Sequence, residues 1–155
     1  MANYGFEEAS LSPSWQTASG LANQYSQVIT TSGVTPIQGS KMLYFNPGNG
    51  AGQSITGIIR QQITFCSPSH TLVAAVYVAG SAGNSCKAAI CLSTSNAPGS
   101  SDCTSNANQV TLSTTWQSVR SPPKTATAPA TYWITIYFTG CNANNDAFAD
   151  WVTLG

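Results

Sequence analysis

Tyr132-Trp133-Ile134-Thr135-Ile136-Tyr137-Phe138 is the stretch on which the reading of the fold turns. In an extended strand successive side chains point to opposite faces, so this run divides into two sets. Tyr132, Ile134, Ile136 and Phe138 read as core, and Trp133, Thr135 and Tyr137 face the other way. The same period of two, punctuated by Gly, Pro, Asn and Ser, continues along the chain, and no stretch carries a sustained helical stripe. Strands are predicted at Tyr25–Thr31, Lys41–Phe45, Ser54–Phe65, Thr71–Val78, Lys87–Leu92, Gln109–Leu112, Gln117–Arg120, Tyr132–Phe138 and Ala147–Leu154. Short strands at this spacing predict a sandwich or barrel with antiparallel pairing.

Composition narrows the class further. The 155 residues suffice for one domain, predicted over residues 3–155, and leave no room for a second core. Charged residues make up 6% and cancel to zero, so the chain lacks an electrostatic funnel for nucleic acid or an anionic membrane. No apolar run of about 18 residues offers a spanning helix. Met1-Ala2-Asn3 does not begin a basic-then-apolar signal segment. Five cysteines in a Ser/Thr-rich chain nonetheless point to an oxidising compartment, so a mature secreted or cell-surface domain is expected, with cytosolic residence as the alternative. Asn46–Gly52 is turn chemistry, Ser93–Asn108 a surface excursion, and Ser121–Ala130 a long connection.

Several segments in order carry a resemblance. The chain opens with Asn3-Tyr4-Gly5-Phe6-Glu7-Glu8, Trp15 and Ser19-Gly20, and closes with Phe148-Ala149-Asp150-Trp151-Val152-Thr153-Leu154. Gly39–Phe45, Ile58–Ile63 and Tyr132–Ile136 lie between them. Together these segments resemble the CenC-like carbohydrate-binding modules, related to families four and twenty-two, especially their fungal versions. The resemblance implies an all-β antiparallel jelly-roll β-sandwich of the galactose-binding-domain-like type. Tyr4 and Trp151 depart from the family pattern.

Four of the five carboxylates, Glu7, Glu8, Asp146 and Asp150, lie in the terminal segments. In the resembling family the first and last strands are neighbours, which implies that Glu7 and Asp150 meet. Two close carboxylates repel unless a cation or shared proton intervenes, and calcium takes six to eight hard oxygen ligands. The resemblance adds the backbone carbonyls of Gly5 and Lys41, giving a structural calcium site. The other reading has Glu7 capping or pairing with Lys41. The same scarcity argues against an enzyme, because a glycosidase needs two carboxylates about 5 to 9 Å apart around one bond. His70, the only histidine, sits in a predicted turn, and no Gly-x-Ser-x-Gly elbow occurs.

The resemblance also implies a Cys86–Cys141 disulfide. Loop closure favours Cys91 with Cys103, which leaves Cys66 over. For the sugar face, alternation turns Tyr77 outward from Leu72, Ala74, Val76 and Val78, and turns Arg60, Gln62 and Thr64 away from Ile59, Ile63 and Phe65. If these strands share a sheet with Tyr132–Phe138, one open face carries Arg60, Gln62, Tyr77, Trp133 and Tyr137. Equally, the aromatics belong to a second half of the core or lie under a loop. The expected function is a non-catalytic module, monomeric within a larger parent protein, that attaches it to a polysaccharide or oligosaccharide such as cell-wall glucan or xylan. The alternative is a fungal surface or adhesion domain with a protein-interaction role and no sugar site.

Overall fold

The computed structural model describes residues 5–8, 14–17, 25–28, 33–48, 55–66, 70–83, 85–95, 108–126, 130–142 and 145–155. In chain order the strands are β1 (Gln16–Thr17), β2 (Tyr25–Val28), β3 (Met42–Phe45), β4 (Ile55–Phe65), β5 (His70–Leu72), β6 (Ala74–Gly80), β7 (Lys87–Ser93), β8 (Val110–Thr111), β9 (Gln117–Arg120), β10 (Lys124–Ala126), β11 (Ala130–Cys141) and β12 (Ala147–Leu154). One sheet runs β1-β4-β11-β7-β8, a second β2-β3-β12-β6-β9, and β10 pairs with β5 as a separate ribbon. All these pairings are antiparallel. The fold is the predicted all-β jelly-roll sandwich.

The core lies between the sheets. Ile59, Ile63, Tyr132, Ile134, Ile136, Phe138, Ala88, Ile90 and Leu92 enter it from the first sheet. Leu43, Phe45, Val76, Val78, Ala147, Ala149 and Val152 meet them from the second. Phe45 and Phe138 stack across the gap with centroids 5.6 Å apart and planes 7° apart. Gly57 permits this contact, since a Cβ there would overlap the Phe45 ring. At the edge of the core, the buried Cys86–Cys141 disulfide ties the start of β7 to the end of β11.

Several boundaries differ from the sequence reading, each for a physical reason. The predicted strand Thr71–Val78 is interrupted at Val73, which exchanges both backbone hydrogen bonds with Gly155 at 2.7 and 3.1 Å. At that point the chain leaves the ribbon and enters the second sheet, so one apolar run serves two pairings. The connection Ser121–Ala130 contains β10, and His70 opens β5 with its ring 5.9 Å from Phe65 rather than sitting in a turn. The expected adjacency of first and last strands does not hold among the described strands. β1 edges the first sheet, whereas β12 is central in the second, between β3 and β6.

Candidate functional site

Register builds three rows of side chains across the outer face of the first sheet. Gln62, Trp133 and Ser93 form one row; Gln16, Arg60, Thr135 and Cys91 the next; Ile58, Tyr137 and Ala89 the third. Strands about 4.8 Å apart put such neighbours within reach of a single ligand. The rows differ in access. Gln62 is exposed and Trp133 and Ser93 are half-buried, whereas Tyr137, Ala89 and Cys91 form a closed apolar cluster packed against Ile58. Arg60 lies between, its guanidinium carbon 5.3 Å from the Trp133 ring centroid, which is cation–π range. Thr135 beside it is fully buried, and its Oγ1 has no hydrogen-bond partner among the described residues.

Beside Ser93 the face runs into a depression of about 240 Å³ lined by Cys91, Leu92, Ser93, Pro122, Pro123 and Lys124. The open end thus offers one flat aromatic surface ringed by a guanidinium, an amide, a hydroxyl and an ammonium. An electron-rich ring face attracts polarised C–H groups, and the surrounding groups suit hydroxyl recognition.

The structure brings together Arg60, Gln62, Trp133 and Tyr137 on this face, but Tyr137 faces outward only to be buried. Tyr77 does not join them. It lies on β6 in the second sheet, opposite Asp150 and Ser118, and stacks on Trp151 with centroids 5.4 Å and planes 9° apart. Alternation found its outward direction, while the sheet it belongs to depends on long-range pairing. Ser93, Thr135 and Lys124 were not among the predicted ligand-binding residues, and Cys91 was expected only as a disulfide partner of Cys103. Extending the period of two beyond Leu92 would have found Ser93, but nothing local announces that Pro122, Pro123 and Lys124 come beside it.

The terminal carboxylates converge on residues 37–41. Glu7 accepts hydrogen bonds from Ser40 N at 3.1 and 3.0 Å, Ser40 Oγ at 3.0 Å and Lys41 N at 2.9 Å. Lys41 Nζ donates to the carbonyls of Glu7 and Glu8 at 3.4 and 2.9 Å, so Glu7 meets Lys41 through both backbone and side chain. Asp150 is buried, with Oδ2 accepting from Ile37 N and Gln38 N at 2.8 and 3.0 Å and Oδ1 from Trp151 N at 2.7 Å. The Gly5 carbonyl accepts from Trp15 Nε1 at 3.3 Å.

Burial pushes the Asp150 carboxyl above its usual range; the Gln38, Trp151 and Ile37 N–H groups oppose this, and the charge of Glu7 adds to it. Burial also acts upward on Glu7, but the Ser40 and Lys41 hydrogen bonds and the Lys41 charge outweigh it, so Glu7 is held low. Among the described residues no group of three or more His, Cys, Asp and Glu converges as a metal cluster. Cys91 is disulfide-bonded, its expected partner Cys103 lies outside the described residues, and Cys66 is a free, exposed thiol.

No protein-family model matches the chain, and no curated protein does. Solved structures share the fold. A family 61 carbohydrate-binding module in complex with β-1,4-galactotriose superposes with a TM-score of 0.73 at 18% identity, covering 100% of this chain and 96% of that one. The family 22 xylan-binding domain CBM22-1 of Paenibacillus barcinonensis Xyn10C gives 0.57 at 12% identity, covering 97% and 90%. The K3 cleaved adhesin domain of Lys-gingipain from Porphyromonas gingivalis gives 0.63 at 18% identity, covering 99% and 97%.

Proposed function

We propose that this protein is a non-catalytic carbohydrate-binding module that holds a polysaccharide chain against the open end of the first sheet's outer face. The observation that carries the reading is Trp133, half-exposed beneath the Arg60 guanidinium and in register with exposed Gln62. A sugar ring laid on the indole would bury its C–H face, while Arg60, Gln62 and Ser93 would meet its hydroxyls. The similar folds solved as galactotriose- and xylan-binding modules support this reading. Residues 3–155 would then act as a single, monomeric unit that fastens a secreted or cell-surface parent protein to a glycan such as cell-wall glucan or xylan.

Structural calcium belongs to the same proposal. Asp150 is a buried carboxylate that accepts from three backbone N–H groups, and it feels the charge of Glu7. Two carboxylates with the Gly5 and Lys41 carbonyls are an all-oxygen set of the hard type calcium prefers. Calcium would neutralise the Glu7–Asp150 repulsion and fasten the N-terminal segment to β12.

Depletion of the protein from solution by insoluble xylan, β-glucan and β-1,4-galactan tests the sugar reading. Binding to at least one, weakened in folded Trp133→Ala, is expected, and retention of none overturns it. The closed Tyr137 end favours a second reading, in which the face is largely covered and the domain serves as a surface or adhesion unit, as in the gingipain adhesin fold. That reading predicts no glycan retention and an unaltered surface on Trp133 substitution.

A further inference from the structure

We propose that the outer face of the second sheet carries a separate glycan-binding site, in which Trp151 stacks on a pyranose ring. Trp151 is the only non-glycine residue with positive φ among the described residues, at 45°. The β12–β6 register shifts between Asp150 and Thr153, so Trp151 occupies the irregularity while Val152 returns to the core. A bulky residue in this backbone region persists only when its surroundings hold it there, and such positions cluster at functional sites. Here the holding contact is the bond from Trp151 N to Asp150 Oδ1. Packing does not account for the arrangement, because the ring it delivers is 39% exposed.

That ring has one contact of note, the nearly parallel stack on Tyr77. Tyr77 backs the indole, and the residue remains 39% exposed. The sheet supplies polar groups around it. Ser118, Tyr77 and Asp150 form one row, and Arg120, Ala75 and Thr153 the next, with Ser118, Arg120 and Thr153 all exposed. Neighbouring strands lie about 4.8 Å apart, so hydroxyl and guanidinium donors stand within a sugar ring's width of the stack.

The chemistry selects the occupant. Among the described residues the only exposed large hydrophobic side chains are Ile37, at 37%, and Trp151. Asp150 links them, accepting from Ile37 N while preceding Trp151 in the chain. Two such residues fall far short of the roughly 800 Å² per partner of a stable protein interface. A single aromatic plane beside hydrogen-bonding groups instead matches a pyranose, which pairs one flat C–H face with a rim of hydroxyls. This site lies on the opposite sheet from Trp133 and stands whether or not Trp133 binds sugar.

The four indole N–H signals in a ¹⁵N-labelled sample provide the test. Trp15 and Trp116 donate to the carbonyls of Gly5 and Thr35, so Trp133 and Trp151 are the reporters of ligand. Xylohexaose, cellohexaose and β-1,4-galactotriose are titrated separately into the millimolar range. Movement of the Trp151 signal is expected with at least one of them, with Tyr77→Ala and Arg120→Ala each weakening that titration several-fold. The Trp133 titration is expected to be the same in Trp151→Ala as in wild type. A Trp151 signal that is static with all three sugars, or that moves unaltered in both variants, overturns the proposal. Movement at Trp151 with a static Trp133 supports it and sinks the reading of the first face.

Discussion

The outer faces of the two sheets each carry aromatic rings, and each face is closed at one end and open at the other. On the first, accessibility falls along β11 from Trp133 to Tyr137 although both lie on the same side of one strand in regular register. On the second, Tyr44, Phe148 and Trp116 pack with Val34, Met42 and Ala79, and the segment containing Val34 is fastened through Trp116 Nε1 to Thr35 O at 2.9 Å. Beyond that cover, where β12 loses register, Trp151 emerges. The difference teaches that alternation fixes the direction of a side chain, but what is laid over the sheet decides whether a ligand can reach it. An outward aromatic is therefore either an outer-face core residue or a binding surface.

The largest expected effect tests that division within the first face. Tyr137→Ala removes a ring that is 3% exposed, so it should cost about 3 kcal/mol of stability by analogy with other large aromatic truncations. Urea unfolding measures this, and glycan affinity per folded molecule should change little. A near-neutral Tyr137→Ala would mean that the closed end is only loosely covered and belongs to the groove.

A comparable effect is expected where the second face meets the N-terminal segment. If calcium binds only the folded chain, it should stabilise by about 2.7 kcal/mol at roughly 100 times its Kd. Thermal melts in calcium and in chelator measure this, and Glu7→Gln and Asp150→Asn should each erase the increment. The pH dependence in chelator has a definite sign. Because the folded Asp150 pKa is raised, its contribution is complete below its unfolded pKa and is lost as pH rises through the folded value. Glu7 acts oppositely, since its folded pKa is lowered: its contribution is present above the unfolded pKa and is lost as pH falls through the folded one. Identical melting curves in calcium and chelator would remove the metal.

Trp133→Ala is the counterpart of Tyr137→Ala and should reverse its signature. Loss of the half-exposed ring should leave stability nearly intact while costing about 1 to 3 kcal/mol of glycan affinity, a rise in Kd of roughly 5- to 150-fold. Titration calorimetry on whichever oligosaccharide binds, with circular dichroism as the folding control, separates the two. Equal losses of stability for Trp133→Ala and Tyr137→Ala would erase the distinction between open and closed ends.

Much of this division could be read from the chain, and the remainder could not for identifiable reasons. Tyr132–Phe138 announced both its core set and its outward set, because a period of two is local. The outward set of β4 was equally legible, and antiparallel pairing of β4 with β11 put Arg60 and Gln62 beside Trp133. Tyr77 went astray because the pairing of β6 with β12 and β9 is set across more than 40 residues on one side and more than 70 on the other, as the partners Ser118 and Asp150 attest. Gln61 illustrates the opposite failure. It occupies an inward position between Ile59 and Ile63 and is 3% exposed, so a polar side chain sits where alternation demands an apolar one. The bulge at Trp151 was visible only as a departure from a family pattern, and a departure does not say which way the ring turns.

The smallest expected effect lies at the edge of the open end, where Arg60 and Gln62 do different work. Gln62 is exposed, so on glycan binding its amide would exchange one water partner for a sugar hydroxyl, and such an exchange nets only about 0.5 to 1.5 kcal/mol. Arg60 is half-buried over the indole, which holds its guanidinium partly desolvated and in one orientation before any ligand arrives. Gln62→Ala should therefore weaken all accepted glycans by a similar small factor. Arg60→Ala should instead change the ranking among xylo-, gluco- and galacto-oligosaccharides, because a fixed donor penalises a sugar whose hydroxyl or ring geometry leaves it unpaired. Arg60→Lys keeps the charge but loses the flat fork that lies over Trp133, and should restore affinity more than ranking. Parallel titrations of wild type and the three variants with the three sugar series measure this. If Arg60→Ala lowers every affinity by the same factor as Gln62→Ala, the guanidinium is no more than another rim donor, and selectivity at the open end rests on the shape of the Trp133 surface alone.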